Sequence, residues 1–186
     1  MKTDHDKVNR KTLVYLFEKL GFLSKICKLI QSMYVNTKSE FNYGGIETDW
    51  VKLERGVRQG CVSSPLLFSI YTEESSARVR DAGLGVRVKS NILGILLHAD
   101  DLVLIGDSEN ALQEIVNITT SYAGEFSLSF NESKCGVLMI NKQEGGREES
   151  RLGNEVINRV RQYNYLVVLF EEGGTGRARA EEKNYG

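Results

Sequence analysis

The sequence predicts an α+β fold. Four segments carry apolar residues at the i, i+3, i+4 spacing of a helix, and between them lie short apolar runs bounded by turn residues. A chain of 186 residues is long enough for one domain with a sizeable core. Its 41% hydrophobic and 26% charged content is that of an ordinary globular protein.

Taken in order, Asn9 is a good N-cap for a first helix from Arg10 to Leu20. Leu13, Leu16, Phe17 and Leu20 share its inner face, and Gly21 stops it. Ser24 caps a second helix through Met33, with Ile26, Leu29 and Ile30 turned inward. Two strands, 38–43 and 48–54, turn about Gly44-Gly45. A third helix runs from Ser64 to Arg80 with Leu67, Phe68, Ile70 and Tyr71 inward. The runs 92–97 and 102–106 read as a pair of buried strands. Ser108 opens a fourth helix to Phe126, carrying Leu112, Ile115, Val116 and Tyr122 on one face. Further strands are expected at 136–141 and 162–170, with a charged, glycine-rich loop at 143–151 between them. Residues 171–186 are polar and glycine-rich, and read as a disordered tail.

Composition sets limits but gives little function. The formal net charge of −1 is unlike that of a stand-alone nucleic-acid binder, which is usually markedly basic. Cys27, Cys61 and Cys135 are odd in number and lack CxxC spacing, which argues against a zinc site and a disulfide framework and suits a reducing compartment. No apolar run is long enough to span a bilayer, and no secretory signal opens the chain.

The chemistry concentrates in His98-Ala99-Asp100-Asp101. Two adjacent carboxylates sit where the chain turns between two apolar strands, a seat suited to a hard divalent cation such as Mg2+. Taken alone, an Asp-Asp pair is an ordinary solvated turn. Its neighbours add to the argument. Upstream lies Arg55-Gly56-Val57-Arg58-Gln59-Gly60-Cys61-Val62-Ser63-Ser64-Pro65, and downstream Asn131-Glu132-Ser133-Lys134. The three blocks, in this order and spacing, resemble the Arg-Gln-Gly-x-x-x-Ser-Pro, aromatic-Ala-Asp-Asp and Asn-x-x-Lys motifs of the reverse-transcriptase palm, of the non-LTR (LINE-like) retrotransposon type. The likeness runs from about Asp6 to about Phe170.

The resemblance implies a palm with a mostly antiparallel sheet backed by helices. It makes residues 1–170 a partial reverse-transcriptase domain. The implied activity is RNA-directed DNA synthesis: two-metal nucleotidyl transfer from dNTPs onto a primer 3′-hydroxyl, directed by an RNA template. The implied cofactor is Mg2+, with Mn2+ as substitute. In such sites two ions about 4 Å apart clamp the attacking and leaving oxygens. By the same resemblance Asp100 and Asp101 are metal ligands and catalytic residues. Arg58, Gln59 and Gly60 shape the pocket for template base and incoming nucleotide, and Lys134 neutralises or protonates the departing pyrophosphate. Gln162–Val167 resembles the primer-grip hairpin, with Val167 where glycine is expected.

Three departures stand out. His98 replaces an aromatic residue, and Ser63 a leucine. In the first family block, His5 falls on the aromatic position and Asp4 on the alanine, so the first catalytic aspartate falls one position before Met1. The expectation is therefore a polymerase palm lacking its start, with little or no activity. A related viral or cellular polymerase palm is disfavoured by the Asn9-Arg10 and Arg58-Gln59-Gly60 details. The alternative from another class is a catalytically dead palm remnant that binds RNA or a protein.

Overall fold

A computed structural model describes residues 6–40, 42–58, 60–98, 101–140, 149–166 and 168–172. Among these residues four α-helices form, each close to its expected place. Helix α1 is Arg10–Lys19. The Asn9 side chain accepts hydrogen bonds from the Lys11 amide at 3.0 Å and the Thr12 amide at 3.3 Å, which satisfies two donors the helix cannot pair itself. Helix α2, Ser24–Met33, begins without a side-chain cap, so Ser24 is its first residue rather than its cap. Helix α3 is Ser64–Asp81, with Pro65 in its first turn, where a missing amide costs nothing. Helix α4 is Glu109–Glu125, capped by Ser108, whose hydroxyl accepts from the Ala111 amide at 3.2 Å.

The core lies where α1, α2 and α3 meet. Val8, Leu13, Leu16, Phe17, Cys27, Ile30, Tyr34, Val57, Leu67, Phe68 and Tyr71 form one buried cluster. Leu20, Ile26 and Leu29, expected to point inward, are exposed instead, and Ile70 is half-buried. Helix α2 packs on α1 along one narrow stripe, and Cys27 and Ile30 fill it. Helix α4 packs on α3. The Tyr122 hydroxyl donates to the Tyr71 carbonyl, and the Tyr71 hydroxyl donates to the Phe126 carbonyl at 2.8 Å. Arg78 locks the pair of helices from outside. Its guanidinium meets Glu125 through two bonds of 2.8 Å and lies over the Tyr122 ring.

The strands pair two by two among the described residues rather than as one broad sheet. Strands β1 (Lys38–Ser39) and β4 (Val51–Lys52) pair antiparallel, and enclose the hairpin of β2 (Asn42–Tyr43) and β3 (Ile46–Glu47). Strand β5 (Val86–Val88) pairs with β6 (Asn91–Leu93), and β7 (Ile95–His98) with β8 (Asp101–Leu104). The run 92–97 is therefore two strands divided at Gly94. A side chain at Gly94 would stand 2.3 Å from the Leu84 carbonyl oxygen, so only glycine lets the two segments pass.

Strand β9 (Val137–Leu138) pairs parallel with β12 (Arg159–Val160). Strand β10 (Ser150–Leu152), expected as loop, pairs antiparallel with β11 (Glu155–Ile157). Residues 162–170, read as a strand from their pattern and as a hairpin over 162–167 from the resemblance, hold the hairpin of β13 (Gln162–Tyr165) and β14 (Val168–Glu171). Glu171, assigned from sequence to the tail, closes β14, and the Glu172 amide donates to the Arg161 carbonyl at 3.0 Å. Residues 173–186 and most of the expected 143–151 loop lie outside the described residues.

Candidate active site

Strands β7 and β8 form a hairpin whose register sets His98 opposite Asp101. Ala99 and Asp100 stand between them in sequence and lie outside the described residues. The flanking runs are half-buried rather than buried: Ile95 and Leu97 turn inward, Leu96 and His98 outward. A two-stranded hairpin has one covered face, and here α3 and α4 cover it. Asp101 is exposed at the first position of β8. His98 is exposed too.

Asp101 acts electrostatically on the β13–β14 hairpin. Burial pushes the Tyr165 phenol above its ordinary value, and the Asp101 charge pushes it further the same way. The same hairpin reaches the downstream block. Tyr163 donates through its hydroxyl to the Lys134 carbonyl at 3.4 Å, and Gly136 lies against the Val160 side chain. Lys134 ends a 3-10 turn, Glu132–Lys134, and is exposed. The Asn131 side chain braces this turn by accepting from the Ser133 hydroxyl at 2.7 Å. Asp101, Tyr165, Tyr163 and Lys134 thus form a chain of neighbours from the carboxylate hairpin to the lysine turn.

The upstream loop is held from below. Val57 is sunk in the core, and the Gly56 amide donates to the Val8 carbonyl at 2.8 Å. Gly56 has φ +86° and Gly60 φ +75°, backbone conformations that L side chains rarely adopt. The Ser64 hydroxyl donates to the Arg58 carbonyl, tying the loop to the start of α3. Arg58 is exposed, and one of its nitrogens donates to the Met33 carbonyl at 3.2 Å. Gln59 lies outside the described residues.

Arg10 entered the sequence reading only as a family detail beside Asn9, yet it organises this loop. Its guanidinium donates to the carbonyls of Gly56 at 2.9 Å and Arg55 at 3.0 Å, and also to those of Leu53 and Tyr34. It also lies 4.8 Å from the centre of the Tyr34 ring. Burial lowers the Arg10 pKa and raises that of Tyr34, while the Arg10 charge opposes the rise in Tyr34. The signal available in sequence was a cation in the first turn of a helix, where the dipole disfavours it.

The donor chemistry of the hairpin suits a hard cation, since the described part of it offers a solvent-facing carboxylate. Among the described residues, no three His, Cys, Asp or Glu side chains cluster as a metal site. Cys27, Cys61 and Cys135 are free thiols. No helix of the described residues is long and apolar enough to cross a membrane.

Comparison with known proteins shows which sequences the chain is similar to. The chain is 25% identical over 184 residues to the Retrovirus-related Pol polyprotein from type-1 retrotransposable element R2 of Nasonia vitripennis, covering 94% of the chain and 18% of that protein. It is 25% identical over 178 residues to the RNA-directed DNA polymerase from mobile element jockey of Drosophila funebris, covering 92% of the chain and 19% of that protein. It is 26% identical over 159 residues to the Pol polyprotein from type-2 retrotransposable element R2DM of Drosophila melanogaster, covering 81% of the chain and 15% of that protein. The chain thus spans less than a fifth of the length of these relatives. Residues 2–170 match the reverse transcriptase (RNA-dependent DNA polymerase) family, and the chain belongs to that family, among relatives of the non-LTR retrotransposon type.

Proposed function

We propose that this chain carries part of the nucleotidyl-transfer centre of an RNA-directed DNA polymerase of a non-LTR retrotransposon. The observation that carries the reading is the β7–β8 register, which starts β8 on an exposed Asp101 within a chain that matches the reverse-transcriptase family. In this reading Asp100 and Asp101 hold Mg2+, or Mn2+ in its place. Bound divalent ions stabilise the attacking and leaving oxygens of phosphoryl transfer. Arg58 and Gly60, with Gln59 between them, contact the template base and incoming dNTP; Lys134 meets the pyrophosphate end. The implied partners are an RNA template, a DNA primer and dNTPs. The palm-like sheet belongs to the same proposal: the paired strands of residues 86–104 and the hairpin of residues 162–171 are its parts. The names borne by the relatives favour a polymerase over a catalytically dead binding module.

The test is calorimetric binding of dTTP to the chain with and without Mn2+. Binding is expected to need both the metal and Asp100, and to weaken about tenfold in Lys134→Gln, as loss of one charged hydrogen bond implies. Any incorporation of labelled dTTP on poly(rA)/oligo(dT) is expected to vanish in Asp100→Asn. Binding of dTTP that ignores both metal and Asp100 would contradict the reading.

A further inference from the structure

An open cleft of about 450 Å³ lies beside Arg58, lined also by Val35, Asn36, Thr37, Lys38 and Trp50. Its size is in the range of small-ligand sites. Trp50 is the single tryptophan of the chain and is 61% exposed. A large indole left in water at the wall of a polar cleft is a stacking surface without its partner. The cations around it are arranged at a cost. The β1–β4 register sets Lys38 directly opposite Lys52, and like charges so placed repel. Lys52 is offset by Glu54 at 3.4 Å. Lys38 makes no ion pair among the described residues. Arg58 adds a second cation to the lining, anchored by one nitrogen to the Met33 carbonyl. An indole and two cations lining one cleft fit a ligand with a flat unpaired ring and more than one negative charge.

We propose that this cleft binds one nucleotide of a single-stranded polynucleotide, its base stacked on Trp50 and its flanking phosphates held by Lys38 and Arg58. A base-paired strand does not offer its ring face to such a plate, whereas an unpaired one does. A free inorganic anion has no use for the indole, and an acidic peptide lacks the ring. The chain as a whole has a net charge of −1, so the attraction is local to the cleft rather than a property of the whole surface. The choice of a polynucleotide as ligand rests on the polymerase reading; the stacking and charge geometry do not.

Because Trp50 is the sole indole, its emission reports the site directly. The 186-residue chain is titrated with ten-residue oligo(rU) and oligo(dT), following Trp50 fluorescence and, on 5′-labelled strands, anisotropy. Quenching by the strands is expected, with log affinity falling against log salt at a slope of about −1.4 for two phosphate contacts. Lys38→Gln should reduce that slope by roughly 0.7. Trp50→Ala should weaken binding about tenfold while Trp50→Phe largely retains it, as expected for stacking. A preference for oligo(rU) over oligo(dT) would mark an RNA strand, the reverse a DNA strand, and either supports the site. Equal quenching by poly-glutamate would make this a general polyanion surface and overturn the nucleotide assignment. Strand binding without quenching, or no binding at low salt, would overturn the proposal outright. Asp100→Asn is expected to leave quenching unchanged. Quenching without metal-dependent dTTP binding would sink the polymerase reading alone, and dTTP binding without quenching would sink only the cleft.

Discussion

Arg10 shows how one side chain can set the shape of a distant loop. It sits in the first turn of α1, where its charge opposes the helix dipole, and the four backbone carbonyls it reaches outweigh that penalty. Three of them belong to residues 53–56, the approach to Arg58 and Gly60. Arg10→Met is expected to lower stability by about 2–3 kcal/mol, the scale of losing charged hydrogen bonds to backbone. Arg10→Lys should recover less than half of that, because an ammonium cannot reproduce the planar fork. Urea unfolding followed by circular dichroism measures both; equal stability of wild type and Arg10→Met would remove Arg10 from this role. At this scale the sequence was legible where chemistry repeats a motif. Asp101, Arg58 and Lys134 stood out, and all three are solvent-facing. Lys38 and Trp50 did not, and Arg10 figured only as a family detail: the carbonyls that Arg10 reaches lie up to 46 positions away, and Lys38 faces Lys52 across a strand pairing that no local pattern encodes.

At the scale of elements, local signals held best for helices. Asn9, Pro65 and Ser108 mark three helix starts by satisfying or sparing amides that a helix leaves unpaired, and those starts are correct. Ser24 has the composition of a cap but not the geometry, since Leu23 already occupies that position. Strands were harder. Residues 92–97 are uniformly apolar except for Gly94, and apolarity alone cannot reveal that the pairing partner changes there. Gly94 reports the change through close approach, not through flexibility. Gly94→Ala should cost about 3 kcal/mol, since its methyl would meet the Leu84 carbonyl and the Val79 side chain. Gly124→Ala, in α4 with open space around it, should instead stabilise by about 0.5–1 kcal/mol. Midpoints of urea unfolding at constant slope separate the two. Matching losses at both sites would contradict the close approach at Gly94.

Across the whole molecule, the helical core around Leu13, Phe17, Phe68 and Tyr71 is a base on which loops and hairpins are mounted. Val57 anchors the Arg58 loop in that core, and α3 and α4 carry the β7–β8 hairpin. The mixed helix-and-strand class was legible from periodicity. The inward faces of α1 and α2 were only partly legible, because a helix pattern rich in apolar residues does not say which stripe a neighbour covers; Leu20, Ile26 and Leu29 lie outside it. The hairpins of 38–54 and 92–106 were legible from turn residues set between strand-like runs; the parallel pairing of β9 with β12 was not, since it joins segments 22 positions apart. The central claim is that the Asp100–Asp101 hairpin seats the divalent cation of nucleotidyl transfer. Its most direct test is Mn2+ titration of the isotopically labelled chain, reading paramagnetic broadening of backbone amides. The account predicts that Leu97, His98, Asp101 and Leu102 broaden first, at about millimolar Mn2+ as expected for a site with few protein ligands, and that Asp100→Asn with Asp101→Asn abolishes the effect. Broadening centred on the acidic residues of 171–182, with the hairpin amides unaffected, would contradict it.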